Sequence, residues 1–311
     1  MNDISTTIES STIPDENSVF IAVSVLFVLT VIIIPAHLLA IYILYRFENF
    51  RRNASFQLLA RVIILEFVQM TGLIYSGLFF WFPSLYNWEI VRKFYGVVLC
   101  CFFPALFALK CELTVFRILI ALRLARPEKL SLSIKVVECI GWLLVLLLCI
   151  GAWVDDAMDF DMYQFYWTYR PDSIVAKIIA QMELYICIPL ILITYVLYML
   201  MLSIIYSMKK KTQQRFRKSK EEWTLFWQNT ITTVYYIVII LIFHVPDLFD
   251  KTVQASMWYF VGNCIAWITA FYWTSLLLLF CNRSIRKKIR FTRSDRTEST
   301  RIVTVAKKSS S

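Results

Sequence analysis

IVAKIIAQMELYICIPLILITYVLYMLMLSIIYS, residues 174–207, runs for 34 residues with only two charges, Lys177 and Glu183, and passes straight into MKKK at 208–211. A bilayer's hydrocarbon core is about 30 Å thick, so a crossing helix needs roughly 20 mostly apolar residues. This stretch exceeds that length and leaves room for tilt or an extra turn. Six more stretches of the same kind lie on either side, at 19–45, 57–82, 94–122, 134–154, 224–246 and 254–281. With 59% apolar residues and a mean hydropathy of +0.63, the chain is more apolar than an ordinary soluble domain. The expectation is an all-α bundle of seven transmembrane helices, not a soluble helical core.

Short loops orient such a bundle through their Lys and Arg content. Between alternate stretches the basic residues divide unevenly. One set of segments (1–18, 83–93, 155–173, 247–253) holds four of them, and the other (46–56, 123–135, 208–223, 282–311) holds twenty-four. The amino terminus is therefore expected outside and the carboxyl terminus inside. The net charge of +10 reads as a topology signal, not a nucleic-acid footprint, with some attraction to anionic inner-leaflet lipid. Residues 1–18 read as an extracellular leader without a basic n-region or a cleavage site, so the first helix is expected to be an uncleaved anchor. Residues 19–291 read as the bundle with an interfacial helix, and 292–311 as a disordered cytoplasmic tail.

All eight cysteines fall in or at the ends of the apolar stretches, so no disulfide framework is legible. Most read as small core residues; Cys281, at the inner end of the seventh stretch, is a palmitoylation candidate. His37 and His244 are the only histidines and give no metal spacing. No HExxH, phosphate loop, Gly-x-Ser-x-Gly or Cys-x-x-Cys occurs, so neither an enzyme nor a cofactor is expected.

Three local stretches carry a likeness: NASFQLL (53–59) entering the second helix, RILIALRLARP (117–127) leaving the third, and CNRSIRKK (281–288) after the seventh. Together with the outside amino terminus and the basic third inner loop, they resemble G-protein-coupled receptors, and more narrowly the nematode serpentine chemoreceptors. Departures from that family's pattern are plain. No acidic residue precedes Arg117, Arg123 or Arg126 in an Asp-Arg-Tyr triplet. WTSLLLLF (273–280) stands where Asn-Pro-x-x-Tyr belongs. No cysteine in the second outer loop is available for the family's usual bridge to the third helix.

Ionisable groups at membrane depth cost roughly 2.5–3.5 kcal/mol each on insertion scales and need a reason to be there. Arg61, Arg117, Glu138 and Lys177 lie near helix ends, where long stems snorkel to the interface. Glu66 and Lys110 lie deeper, about 13 Å and 18 Å from the inner ends of their helices at 1.5 Å per residue. Their similar depth on neighbouring helices predicts a Glu66–Lys110 ion pair, with Glu112 as a competing partner. The resemblance adds that rhodopsin-like receptors place an acid at this point of the second helix, where it biases the active–inactive balance. Glu183, about 14 Å below the start of its helix, is the sharpest ligand candidate, flanked by Gln181 and Tyr185. Phe103, Phe107, His244, Trp258, Asn263 and Trp267 stand at comparable depth. Such an apolar aromatic cavity with few polar anchors suits a small volatile or amphiphilic ligand.

What the resemblance implies is a chemosensory receptor that signals to a heterotrimeric G protein. Its inner face would use Arg117, Arg123 and Arg126, the loop MKKKTQQRFRKSKEEW (208–223) with Lys209, Lys210 and Lys211, and NRSIRKKIRF (282–291) with Arg286 and Lys287. Expected partners are the ligand, the G protein, the lipid bilayer and other receptor copies, and the expected location is the plasma membrane of sensory neuron endings. The alternatives are a seven-helix transporter or a receptor subunit that does not signal. A transporter built of repeats would show two similar three-helix halves, and none is visible. A retinal protein would need a lysine in the seventh helix, and 254–281 contains none.

Overall fold

In lipid a backbone can satisfy its polar groups only internally, so long apolar stretches become helices. The computed structural model describes residues 16–126, 128, 130–161, 166–211, 232–242, 257–281 and 285–286. Helix α1 spans Glu16–Arg46 and a single turn, α2, spans Glu48–Arg51. Helix α3 (Ala54–Trp81) leads through a 3₁₀ turn at Pro83–Asn87 to α4 (Glu89–Ala121). Helix α5 covers Leu132–Val154. Then come strands β1 (Met158–Asp161) and β2 (Tyr166–Tyr169). One rod follows, built of α6 (Ile174–Met182), a π-helical turn (Glu183–Cys187) and α7 (Ile188–Lys211). Helices α8 (Thr232–Ile242) and α9 (Met257–Cys281) complete the described elements.

Local chemistry sets several of these boundaries. Asn53 Oδ1 accepts the Ser55 N–H at 3.0 Å, Ser131 Oγ the Ile134 N–H at 3.3 Å and Ser173 Oγ the Ala176 N–H at 2.9 Å. Each such N-cap contributes about 1 kcal/mol. The π turn sits just before Pro189. Proline lacks an N–H and its ring crowds the carbonyl four residues earlier, here that of Tyr185, and a widened turn relieves the clash.

Among the described residues five helical segments are long and apolar enough to cross a bilayer: Val28–Arg46, Ala54–Phe79, Glu89–Ile120, Leu132–Val154 and Ile174–Ile204. The sixth and seventh stretches are represented by the shorter apolar helices Thr232–Ile242 and Ile265–Phe280. The protein is thus a mostly helical bundle of membrane type. Much of its outer surface is apolar, including Leu143, Leu144 and Leu147 on α5 and Val196 on α7. Contiguous faces of this size are unfavourable in water and suited to hydrocarbon.

One element departs from the all-α expectation. Segment 155–173, read as a loop, contains an antiparallel hairpin with Met158 opposite Tyr169 and Asp161 opposite Tyr166. Its signal is period-two alternation: Met158 and Phe160 are buried while Asp159 between them is not.

Helix α3 packs against α1 and α4, α4 against α5 and α7, and α9 against α1 and α3. The buried apolar residues fall into two main clusters. One, beneath the hairpin, includes Ile33, Leu65, Leu109 and Phe271; the other, at the opposite end, includes Ala40, Ile63, Leu113 and Leu278. Between them run buried polar residues: His37 on α1, Glu66 on α3, Ser275 on α9 and, half-buried, Lys110 on α4. The core is split by a polar seam.

Candidate functional site

The hairpin lies across one end of the bundle and reaches into it. Trp167 is buried and its indole N–H donates to Ser76 Oγ on α3, while Phe160 packs on Phe79 with ring centroids 4.8 Å apart. Gly96 lets the hairpin backbone settle on α4, since a Cβ there would stand 2.6 Å from the Met158 carbonyl oxygen. Charges fasten the rim. Arg92 on α4 meets Asp159 at 2.9 Å, Lys93 meets Asp156 at 3.7 Å, and Arg170 bridges Asp156 at 2.8 Å and Asp159 at 3.0 Å. The Arg92 and Lys93 pairs join the third apolar helix to the hairpin segment, and Arg170 braces that segment internally. At the start of α6, Asp155 accepts the Ser173 hydroxyl at 2.6 Å and the Val175 N–H at 3.0 Å. The hydroxyl first, then the amide, hold its carboxyl below the usual range.

Glu183 lies under this lid, 4% exposed, and its Oε1 accepts the Tyr169 hydroxyl at 2.7 Å. Burial first, then the Glu183 carboxylate and the Cys100 thiol, hold the Tyr169 phenol well above its ordinary value, so it stays a donor. Gln181 and Tyr185, expected to flank Glu183 in the site, are exposed on the far side of the rod. Residues two apart on a helix do not share a face.

Phe103, Phe107 and Trp267 come together as expected from their depth, in a filled aromatic layer. Ring centroids are 4.8 Å apart for Phe103–Phe107, 4.7 Å for Phe103–Trp267 and 5.1 Å for Phe107–Tyr236. All three pairs are edge-on, a geometry contributing about 0.5–1.5 kcal/mol per pair beyond buried area. Trp258 and Asn263 lie on the α9 backbone with side chains outside the described residues, and His244 lies outside them altogether.

The aromatic layer ends on the seam. Lys110 Nζ is 2.9 Å from Glu66 Oε1 and donates to the Tyr236 hydroxyl at 2.9 Å, over whose ring it stands at 4.2 Å. Tyr236 donates onward to the Ala270 carbonyl at 3.1 Å, and Thr274 donates to Glu66 Oε1 at 2.7 Å. One ion pair therefore ties α3, α4, α8 and α9 at a single level. Glu112 does not compete for the lysine. It is two residues along α4, roughly 200° round the helix at 100° per residue, and its Oε1 finds no partner among the described residues. Unpartnered there too are Glu66 Oε2, Gln69 Nε2, Ser275 Oγ and both ring nitrogens of His37.

No family model matches the chain, and no curated protein is similar enough to count as a relative. The site rests on its own geometry.

At the opposite end Arg117 Nε donates to Ser55 Oγ at 3.3 Å, and Arg61 forms an ion pair with Glu138 between α3 and α5. Both therefore replace the snorkelling expectation with contacts inside the bundle, since a neighbouring helix offers a partner nearer than the interface. Arg123 and Arg126 are exposed beyond α4. Lys209, Lys210 and Lys211 form the last turn of α7, their side chains outside the described residues, as is that of Cys281 at the end of α9. Ile285 is buried in the cluster at this end and Arg286 beside it is exposed; Lys287 lies outside the described residues. Sequence reasoning missed Tyr169, Trp167, Tyr236 and Thr274. For the first two the clue was hairpin alternation, and for the last two only depth counting on the sixth and seventh stretches.

Proposed function

We propose that this chain is a seven-helix chemosensory receptor of G-protein-coupled type, with the hairpin end outside and the Lys- and Arg-rich end in the cytoplasm. One observation carries the reading: beneath a hairpin lid lie a buried carboxylate, Glu183, and a run of packed rings, Phe103, Phe107 and Tyr236, that ends on an ion pair gathering four helices. A small ligand held among Glu183, Phe103, Phe107 and Trp267 would repack Phe107 against Tyr236. Tyr236 holds Lys110, so the change would reach the Glu66–Lys110 pair and shift the bundle between two arrangements. Arg117, Arg123, Arg126, the basic end of α7 and Arg286 stand at the end where a G protein would dock, and His244, Trp258 and Asn263 would complete the ligand shell. A volatile or amphiphilic ligand fits the scarcity of polar anchors.

The twenty-four-to-four division of basic residues supports the orientation. It also argues against a seven-helix channel with its amino terminus inside. A receptor subunit that does not signal is the second reading, favoured by Phe116, buried and apolar, in the position directly before Arg117.

A carboxyl-terminal fluorescent tag tests the proposal in the animal. Accumulation in sensory neuron endings, with odorant-evoked responses lost in Glu183→Gln but not surface delivery, supports it. Confinement to internal membranes or to non-sensory tissue overturns it.

A further inference from the structure

Glu183 is already occupied, and its occupant belongs to the chain itself. The phenol of Tyr169 enters on β2, donates to the carboxylate at 2.7 Å, and is backed by buried Trp167 and Phe160. A phenol on a strand is chemically a small aromatic molecule on a tether. We propose that Tyr169 is a resident ligand of the Glu183 site, and that a diffusible ligand takes its place as the hairpin lifts, being itself a small aromatic hydrogen-bond donor of the phenol class. This rests on the reading of Glu183 as the ligand anchor, and names what that anchor accepts.

The fastening of the lid fits a part that must come away. Among the described residues its contacts are non-covalent: Arg92–Asp159 and Lys93–Asp156 join it to α4, the Trp167 indole donates to Ser76 and Phe160 packs on Phe79 of α3, and Arg170 pairs with both aspartates inside the lid itself. Contacts of this kind can part and re-form together, whereas a covalent bridge would fix the loop. Glu183 is a good exchange point because loss of a hydrogen-bond donor at a buried carboxylate carries a desolvation penalty. A ligand that brings a ring like Tyr169's but no hydroxyl leaves that penalty standing, so the site selects for the donor.

Native cysteines report the state of the lid. Cys100, Cys101 and Cys187 are buried; the first two lie within electrostatic reach of the Tyr169 hydroxyl, and Cys187 is one turn along the rod from Glu183. Cys111, half-buried farther along α4, serves as control. The full chain is reconstituted in nanodiscs, which expose both ends. Its cysteines are then labelled with a charged, membrane-impermeant methanethiosulfonate and followed by peptide mass spectrometry.

Two unrelated variants open the lid: Tyr169→Phe removes the donor, and Gly96→Ala places a methyl against Met158 while strengthening the helix. Both should raise labelling of Cys101 and Cys187 by about tenfold, in Tyr169→Phe through loss of a hydrogen bond to the carboxylate and in Gly96→Ala through the clash with Met158, with Cys111 unchanged. In Tyr169→Ala, p-cresol (the tyrosine side chain as a free molecule) should slow that labelling again by about tenfold, and toluene should not. Wild-type rates in both opening variants would overturn the proposal, as would a parallel rise at Cys111, since the whole bundle would then be loosening. Equal protection by toluene would overturn the donor class. None of these readouts uses signalling. A chain that labels as expected but never signals would sink the receptor reading and leave the resident phenol standing.

Discussion

Lys110 and Glu66 show how two residues can organise a membrane core. Glu66 is fully buried, and a buried charge deprived of its partner costs about 3–5 kcal/mol, far more than the net contribution of the intact pair. Lys110→Met should therefore lower the thermal unfolding temperature in detergent sharply, and Glu66→Gln should do so less because Lys110 keeps Tyr236. Combining the two should recover most of the loss. If the double variant is no more stable than Lys110→Met alone, the pair does not hold the seam. Depth counting made this contact legible in the sequence, because 1.5 Å per residue on straight rods fixes level well. It does not fix direction. Glu112 and Lys110 share a level too, and only their two-residue spacing says that they face apart. Tyr169 was beyond that method, since its route to Glu183 runs through a turn whose path no helical period encodes.

At the scale of elements, the ends of helices carry the informative irregularities. Helix α4 closes with Arg123 in the left-handed region, φ 61°, while the Leu124 N–H bonds the Leu119 carbonyl and the Arg123 N–H that of Ile120. Glycine usually takes that position, and a side chain there costs roughly 1–2 kcal/mol. Arg123→Gly should raise stability by up to about 1 kcal/mol once glycine's greater freedom in the unfolded chain is counted. An unchanged or lower unfolding temperature would show that the arginine makes compensating contacts. At the other end Asp155 staples the close of α5 to the start of α6. Its carboxyl is held below the ordinary range by Ser173 and Val175, so the staple is fully formed above the unfolded value of about 3.9. It fades as pH falls through the lower folded value. Backbone hydrogen exchange at the start of α6 should accelerate in that acid window. Asp155→Asn should show fast exchange at every pH, whereas a wild type indifferent to acid would refute the staple. The helices themselves were legible because hydropathy sets them. The hairpin was not, since four-residue strands in a charged segment give a weak alternation and their partners Gly96, Ser76 and Arg92 lie more than sixty residues away.

Across the whole molecule, polarity is arranged in levels. Charged residues crowd both rims, apolar clusters fill the two halves, and a thin polar seam separates them. The rims differ in kind. Acid and base are matched at the hairpin rim, where Asp156 and Asp159 meet Arg92, Lys93 and Arg170. The opposite end belongs to the segments that hold twenty-four of the basic residues. Asp and Glu contribute little to which face is translocated, while Lys and Arg near helix ends resist it, so the count of four against twenty-four decides. The hairpin rim should therefore face outward. An epitope at the amino terminus should be stained on intact cells and one at the carboxyl terminus only after permeabilisation. The reverse pattern would invert the molecule, put Glu183 at the cytoplasmic end, and remove the physical basis for reading the hairpin as a lid over an external ligand.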